Sequence, residues 1–129
     1  MTNRFGPENF RKTNGYKGRF PRMLALGRLT YYESSNSASI SGILWDDRSM
    51  SSCMTVVREQ KGRYIVSFEN GLFPDGYKVI VSGYGSWTVD ARVFEAAGDH
   101  ILIGMSDDET GNDSNCEIMI LAPVWSYDS

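Results

Sequence analysis

Gly62-Arg63-Tyr64-Ile65-Val66-Ser67-Phe68 and, four residues on, Phe73-Pro74-Asp75-Gly76-Tyr77-Lys78-Val79-Ile80-Val81 decide the fold class. Each segment puts large apolar side chains on every second residue. Tyr64, Val66 and Phe68 form one set, and Tyr77, Val79 and Val81 the other. A period of two is the signature of a strand with one face turned to a core. Pro74-Asp75-Gly76 punctuates the approach to the second strand with turn chemistry.

Outward from this pair the same grammar continues. Apolar segments at 24–32, 39–45, 54–59, 63–68, 77–82, 86–94, 100–105 and 116–121 read as strands. They are separated by turn signals at Lys61-Gly62, Asn70-Gly71, Gly83, Gly85, Gly98-Asp99 and Gly111-Asn112. Segment 89–98 is the most ambiguous, since Ala91, Phe94 and Ala97 also fit a helical turn. Strand spacing of mostly 8–14 residues points to an all-β fold, an antiparallel β-sandwich (jelly roll) with an extended N-terminal arm. At 129 residues, 41% of them apolar and 22% charged, the chain suits one ordered domain with a real core. The longest apolar run, about 118–122, is far short of the roughly 20 residues of a membrane span. The first seven residues hold no apolar h-region, so no secretory signal is expected.

Charge divides the chain in two. Residues 1–22 carry six bases against Glu8, a net +5, and the remaining 107 residues carry seven bases and fifteen acids, a net −8. We therefore divide the chain into a basic arm, 1–22, and an acidic body, 23–129. The arm has no helical or alternating period, and its aromatics are interleaved with its bases. Arg4, Phe5, Phe10, Arg11, Lys12, Tyr16, Arg19 and Phe20 are its candidate docking residues, with aromatics filling pockets and bases pairing with acids on a partner. Basic residues among aromatics also suit single-stranded nucleic acid. The acidic body, and the lack of any basic run longer than two, count against that partner.

Several strands carry apolar residues on their second face as well, notably at Ile65, Ile80 and Met119. A sheet with one wet face alternates cleanly. The extra residues point to contact with another copy of the chain, the alternative being scattered surface apolar side chains. Ile65, Ile80 and Met119 are the candidate oligomer interface.

Catalytic and metal chemistry find little support. His100 is the sole histidine and sits at a strand start, where a structural role is the ordinary one. Glu69, Asp75, Asp90 and Asp99 could supply a carboxylate pair, but nothing singles one out. Cys53 and Cys116 lack zinc spacing and read as free thiols. The acidic stretch Asp107-Asp108-Glu109-Thr110-Gly111-Asn112-Asp113-Ser114-Asn115 offers hard oxygens. It nevertheless fails the helix-loop-helix calcium pattern, with Asn112 where glycine is needed and Ile118 where glutamate is needed. No catalytic residue, metal or cofactor is therefore expected, and the protein is not read as an enzyme. Tyr84 and Trp87, flanking a glycine turn, could stack on a sugar, with Asp107, Asp108 and Asp113 bonding hydroxyl groups or calcium. Trp45 and Trp125 are further aromatic candidates. Such a site would lie on loops at the end of the sandwich distal to the arm.

The pattern Gly-x-Tyr-x-Val-x-Phe, a short loop, then Phe-x-x-x-Tyr-x-Val-x-Val resembles the C-terminal β-sandwich domain of phage tail-fibre and other virion-fibre proteins, similar to the complement-type globular head. Val56-Val57-Arg58-Glu59-Gln60-Lys61 before it, the acidic stretch and the closing segment 116–122 also fit, so the resemblance spans about residues 38–122. It implies a trimeric jelly roll on a virus particle, serving host attachment or acting as a structural appendage. No long shaft is expected before the domain, and the basic arm stands in its place. That departure favours a small homotrimer, assembled in the host cytoplasm and clipped to another virion protein of the capsid, neck, tail or fibre. The alternatives are a carbohydrate-binding module or receptor-binding tip that takes a host-surface glycan, and an adaptor with a nucleic-acid-binding arm. No membrane association is expected.

Overall fold

The computed structural model describes residues 22–84, 89–107 and 110–123. The chain runs β1 (Met23–Tyr32), β2 (Ser37–Leu44), α1 (Met50–Cys53), β3 (Met54–Gln60), β4 (Arg63–Phe68), β5 (Lys78–Tyr84), β6 (Val89–Ala96), β7 (His100–Asp107), β8 (Thr110–Gly111) and β9 (Asn115–Leu121). Two antiparallel sheets pack face to face. One has the order β2-β1-β9-β5 and the other β3-β4-β7-β6, with β8 paired to β7. The protein is an all-β sandwich. Segment 89–96, compatible with a helical turn on sequence, is a strand paired to β7.

The alternation read from the sequence fixes which side chains fill the space between the sheets. Tyr64, Val66 and Phe68 of β4 face Ile101, Ile103 and Met105 of β7 within one layer. Leu29, Ile40, Leu44, Cys116, Ile118 and Ile120 line the other. Burying each such side chain contributes about 1.5–3 kcal/mol, so the interior dominates stability. Phe68, Phe73 and Tyr77 close one end as an edge-packed trio, with ring centroids 5.2–6.4 Å apart.

The connection from β2 to β3, which links the two sheets, contains the one helical turn among the described residues. Ser49 caps α1, its hydroxyl accepting from the Ser51 N–H at 3.2 Å, and the turn drives Met50 fully inside. There the Met50 sulfur covers Gly27 and Gly42, which pair across β1 and β2. A Cβ on Gly27 would meet the Ser41 carbonyl oxygen at 2.2 Å, and one on Gly42 would meet the Leu26 carbonyl oxygen at 2.4 Å, so both positions need glycine. Cys53 and Cys116 are free thiols, the second fully buried.

Candidate functional site

Every strand of the β2-β1-β9-β5 sheet has an outer face, and pairing register determines what shares it. Ile43 pairs with Leu26, Leu26 with Met119, and Met119 with Ile80. The four form one unbroken apolar row across all four strands. Leu26, Ile43 and Ile80 are 49%, 59% and 52% exposed, so the described residues leave about half of each uncovered. A second row lies beside it, where Met23 pairs with Leu121 and Leu121 with Lys78. Trp45, two residues beyond Ile43, stands exposed at the same end with the Arg22 guanidinium 5.3 Å over its ring. At strand spacing of about 4.8 Å, this apolar face is roughly 19 Å wide. On the other side of the row, Arg28 and Glu117 form an exposed ion pair at 3.2 Å. The face thus has an apolar centre and a rim of both charge signs, the anatomy of a protein interface.

Ile80 and Met119 meet in this row, but Ile65 does not. It faces outward from the opposite sheet, in a shorter row that runs from Val57 through Ile65 to Leu102. The expected three-residue interface is therefore split between two outer surfaces. Alternation tells which face of a strand a residue occupies, but the crossover after β4 decides which sheet that strand joins. Leu26 and Ile43 were missed as members of the row. Their signal was present, since Ile40 and Ile43 have opposite parity in one strand and cannot both face the core.

The acidic loop forms a latch. Asp113 is 8% exposed and accepts four hydrogen bonds. Arg58 Nη2 donates to Oδ2 at 2.8 Å, Arg58 Nε to Oδ1 at 3.1 Å, the Gly62 N–H to Oδ1 at 2.9 Å, and the Tyr64 hydroxyl also to Oδ1. Burial raises the carboxyl pKa, but the Arg58 guanidinium, the Tyr64 hydroxyl and the Gly62 N–H outweigh it and hold the group below its ordinary value. Burial and the same carboxylate push the Tyr64 phenol far up. The Arg58 guanidinium also lies 5.8 Å from the Tyr31 ring centre, and the Tyr31 N–H donates to Asn115 Oδ1 at 2.8 Å. Asp113 thus has its acceptor capacity committed inside the protein and ties the loop before β9 to β3 and β4.

No family model, curated protein or solved structure matches the chain.

The remaining candidates fall as follows. Tyr84 pairs through its backbone with Asn115, and Asp107 with Thr110 and Val89, so both lie at the Asp113 end. Arg22, where the arm joins, lies at the other end, its carbonyl accepting from the Ala122 N–H at 2.8 Å. Trp87, Asp108 and Trp125 lie outside the described residues, as do Arg4, Phe5, Phe10, Arg11, Lys12, Tyr16, Arg19 and Phe20 of the arm. His100 sits between two carboxylates, Nδ1 at 2.8 Å from Asp99 and Nε2 at 3.1 Å from Glu95. These bonds, Asp99 first, raise its pKa and favour the charged form. Among the described residues no group of three or more His, Cys, Asp or Glu is placed to hold a metal ion. Nor is any helix there long and apolar enough to cross a membrane.

Proposed function

We propose that the protein is a non-enzymatic, self-associating β-sandwich that serves as a structural appendage of a larger particle. Copies meet through the outer face of the β2-β1-β9-β5 sheet, and the basic arm carries the assembly to its partner. The observation behind this reading is the unbroken row Ile43, Leu26, Met119 and Ile80, exposed in the single chain and crossing every strand of the sheet. A second copy is a fitting occupant because the rim holds Arg28 and Glu117 together, so neighbouring copies meet on this sheet without an excess of like charge. The resemblance of residues 38–122 to virion-fibre heads suggests a virus particle as the setting and a trimer as the assembly, with host attachment as the use.

Light scattering on the full chain at micromolar concentration tests the assembly. The expected mass is a multiple of the chain mass. Leu26→Asp should reduce it to one copy with the β-sheet circular dichroism intact, because a charge would be buried unpaired in the contact. A wild-type chain of monomer mass overturns the reading.

A further inference from the structure

The opposite sheet carries a different kind of surface. Arg63 of β4, Gly104 of β7 and Arg92 of β6 stand in one row across three adjacent strands. The middle position has no side chain, and Phe94 fills the space. A Cβ on Gly104 would lie 2.0 Å from the Phe94 ring, so the ring rests directly on the glycine backbone. The β6 register shift between Val93 and Glu95 leaves Phe94 and Glu95 both exposed. The Arg63 guanidinium lies over the same ring, 4.6 Å from its centre. Around this stack opens a groove of about 680 Å³ whose lining includes Gln60, Lys61, Arg63, Arg92, Phe94 and Ser106.

Three features of the groove point to a ligand. It gathers three cations, and among the described residues none of them has a carboxylate partner, in a body that is otherwise strongly acidic. The Nε of Arg63 is buried and makes no hydrogen bond, an unusual state for a guanidinium donor. The volume lies within the roughly 300–1,000 Å³ of ordinary small-ligand sites. Cations side by side without counter-charge repel, and an anion relieves that repulsion while satisfying their donors.

The lining also selects among anions. Gln60 and Ser106 supply neutral donors and acceptors between the charges, which suits a hydroxyl-rich frame. A nucleobase would have to displace Arg63 to stack on Phe94. We propose that the groove between Arg63 and Arg92 is a binding site for an acidic oligosaccharide, its carboxylate or sulfate groups held by Arg63, Arg92 and Lys61. The site lies on the sheet opposite the self-association face and stands or falls independently of it.

Calorimetric titration of the full chain tests this, with a heparin-derived tetrasaccharide, tetragalacturonate, maltotetraose, hexaglutamate and an eight-residue oligo-dT as probes. The first two distinguish sulfate from carboxylate as the favoured acid. Binding of at least one of them is expected, with maltotetraose, hexaglutamate and oligo-dT at least tenfold weaker. The double variant Arg63→Gln/Arg92→Gln keeps the arm and should lose at least tenfold in affinity, whereas Arg48→Gln, whose guanidinium pairs with Asp46 away from the groove, should bind as the wild type does. Should the double variant fail to fold, the exposed Arg92→Gln alone must weaken binding at least threefold. Binding that survives these changes, binding led by hexaglutamate or oligo-dT, or no binding of either acidic sugar overturns the proposal.

Discussion

Removing the Asp113 carboxylate should cost the fold about 3 kcal/mol. Asp113→Ala deletes four hydrogen bonds at once, two of them from a guanidinium. Breaking a buried ion pair by taking away one partner costs roughly 3–5 kcal/mol, chiefly because the other charge stays behind unpaired. Here the low end applies. The Arg58 side chain keeps 18% of its surface in solvent and retains its contact with the Tyr31 ring. At about 2.1 cal/mol/K of unfolding entropy per residue, a body of this size loses about 13 °C of melting temperature for that change. Urea unfolding of wild type, Asp113→Ala, Arg58→Gln and the double variant measures both the loss and the coupling, which should exceed about 1 kcal/mol.

The acid limb supplies a second reading of the same experiment. The folded carboxyl lies below its ordinary value, so the unfolded chain takes up the proton first as pH falls. The contribution is complete above about pH 4 and declines below it, toward the folded value. Asp113→Asn should lack that part of the acid slope. A loop that is merely a solvated turn would give Asp113→Ala within about 0.5 kcal/mol of wild type and an unchanged acid limb, and that result would refute the latch.

Two further outcomes follow from the geometry. His100 has a raised pKa through Asp99 and Glu95, so its contribution to stability is full below about pH 6.5 and is lost as pH rises through the folded value. Urea midpoints at pH 6, 7 and 8 should fall for wild type and stay flatter for His100→Gln, and superimposable profiles would dismiss the clamp. Cys116 is fully buried and its thiol is pushed up to about 12, whereas Cys53 is partly exposed. A thiol reagent at pH 8 should modify Cys53 in the native protein and reach Cys116 only on unfolding, and two fast thiols would contradict this burial.

The strands were legible because burial imposes a period of two, and Tyr64, Val66 and Phe68 obey it without exception. The turn at Met50 was not legible. Apart from the Ser49 cap, little in Met50-Ser51-Ser52-Cys53 marks a helix, and the turn is held by Met50 filling the notch that two glycines on different strands leave. Asp113 misled for a related reason. In sequence it is one acid of several in a polar stretch, and only the fold brings Arg58, Gly62 and Tyr64 around it from some fifty residues away. The cationic groove was equally hidden, because Arg63, Arg92 and Lys61 are isolated charges until β4, β7 and β6 are set side by side. Patterns that repeat within a strand are readable, whereas sites assembled across strands require the register.

The register also constrains what kind of assembly the apolar face can build. A face that pairs with itself does so about a two-fold axis and closes at two copies. Contact between the two opposite outer faces would instead stack copies into an open column. Three copies in a ring need two different patches on each chain, and the two ends of the row differ. Ile43 stands on the edge strand β2 and Ile80 on the edge strand β5. A three-fold ring would set the Ile43 end of one copy against the Ile80 end of the next, with Leu26 and Met119 turned toward the axis. In that ring Ile43→Asp and Ile80→Asp strike the two sides of every contact, so each alone should dissolve the trimer. In a self-paired dimer a substitution at the outer ends of the row should weaken the contact less than Leu26→Asp at its centre, since rim positions stay near solvent. The mass of the wild type and the ranking of these three variants therefore determine both the number of copies and the axis about which they meet.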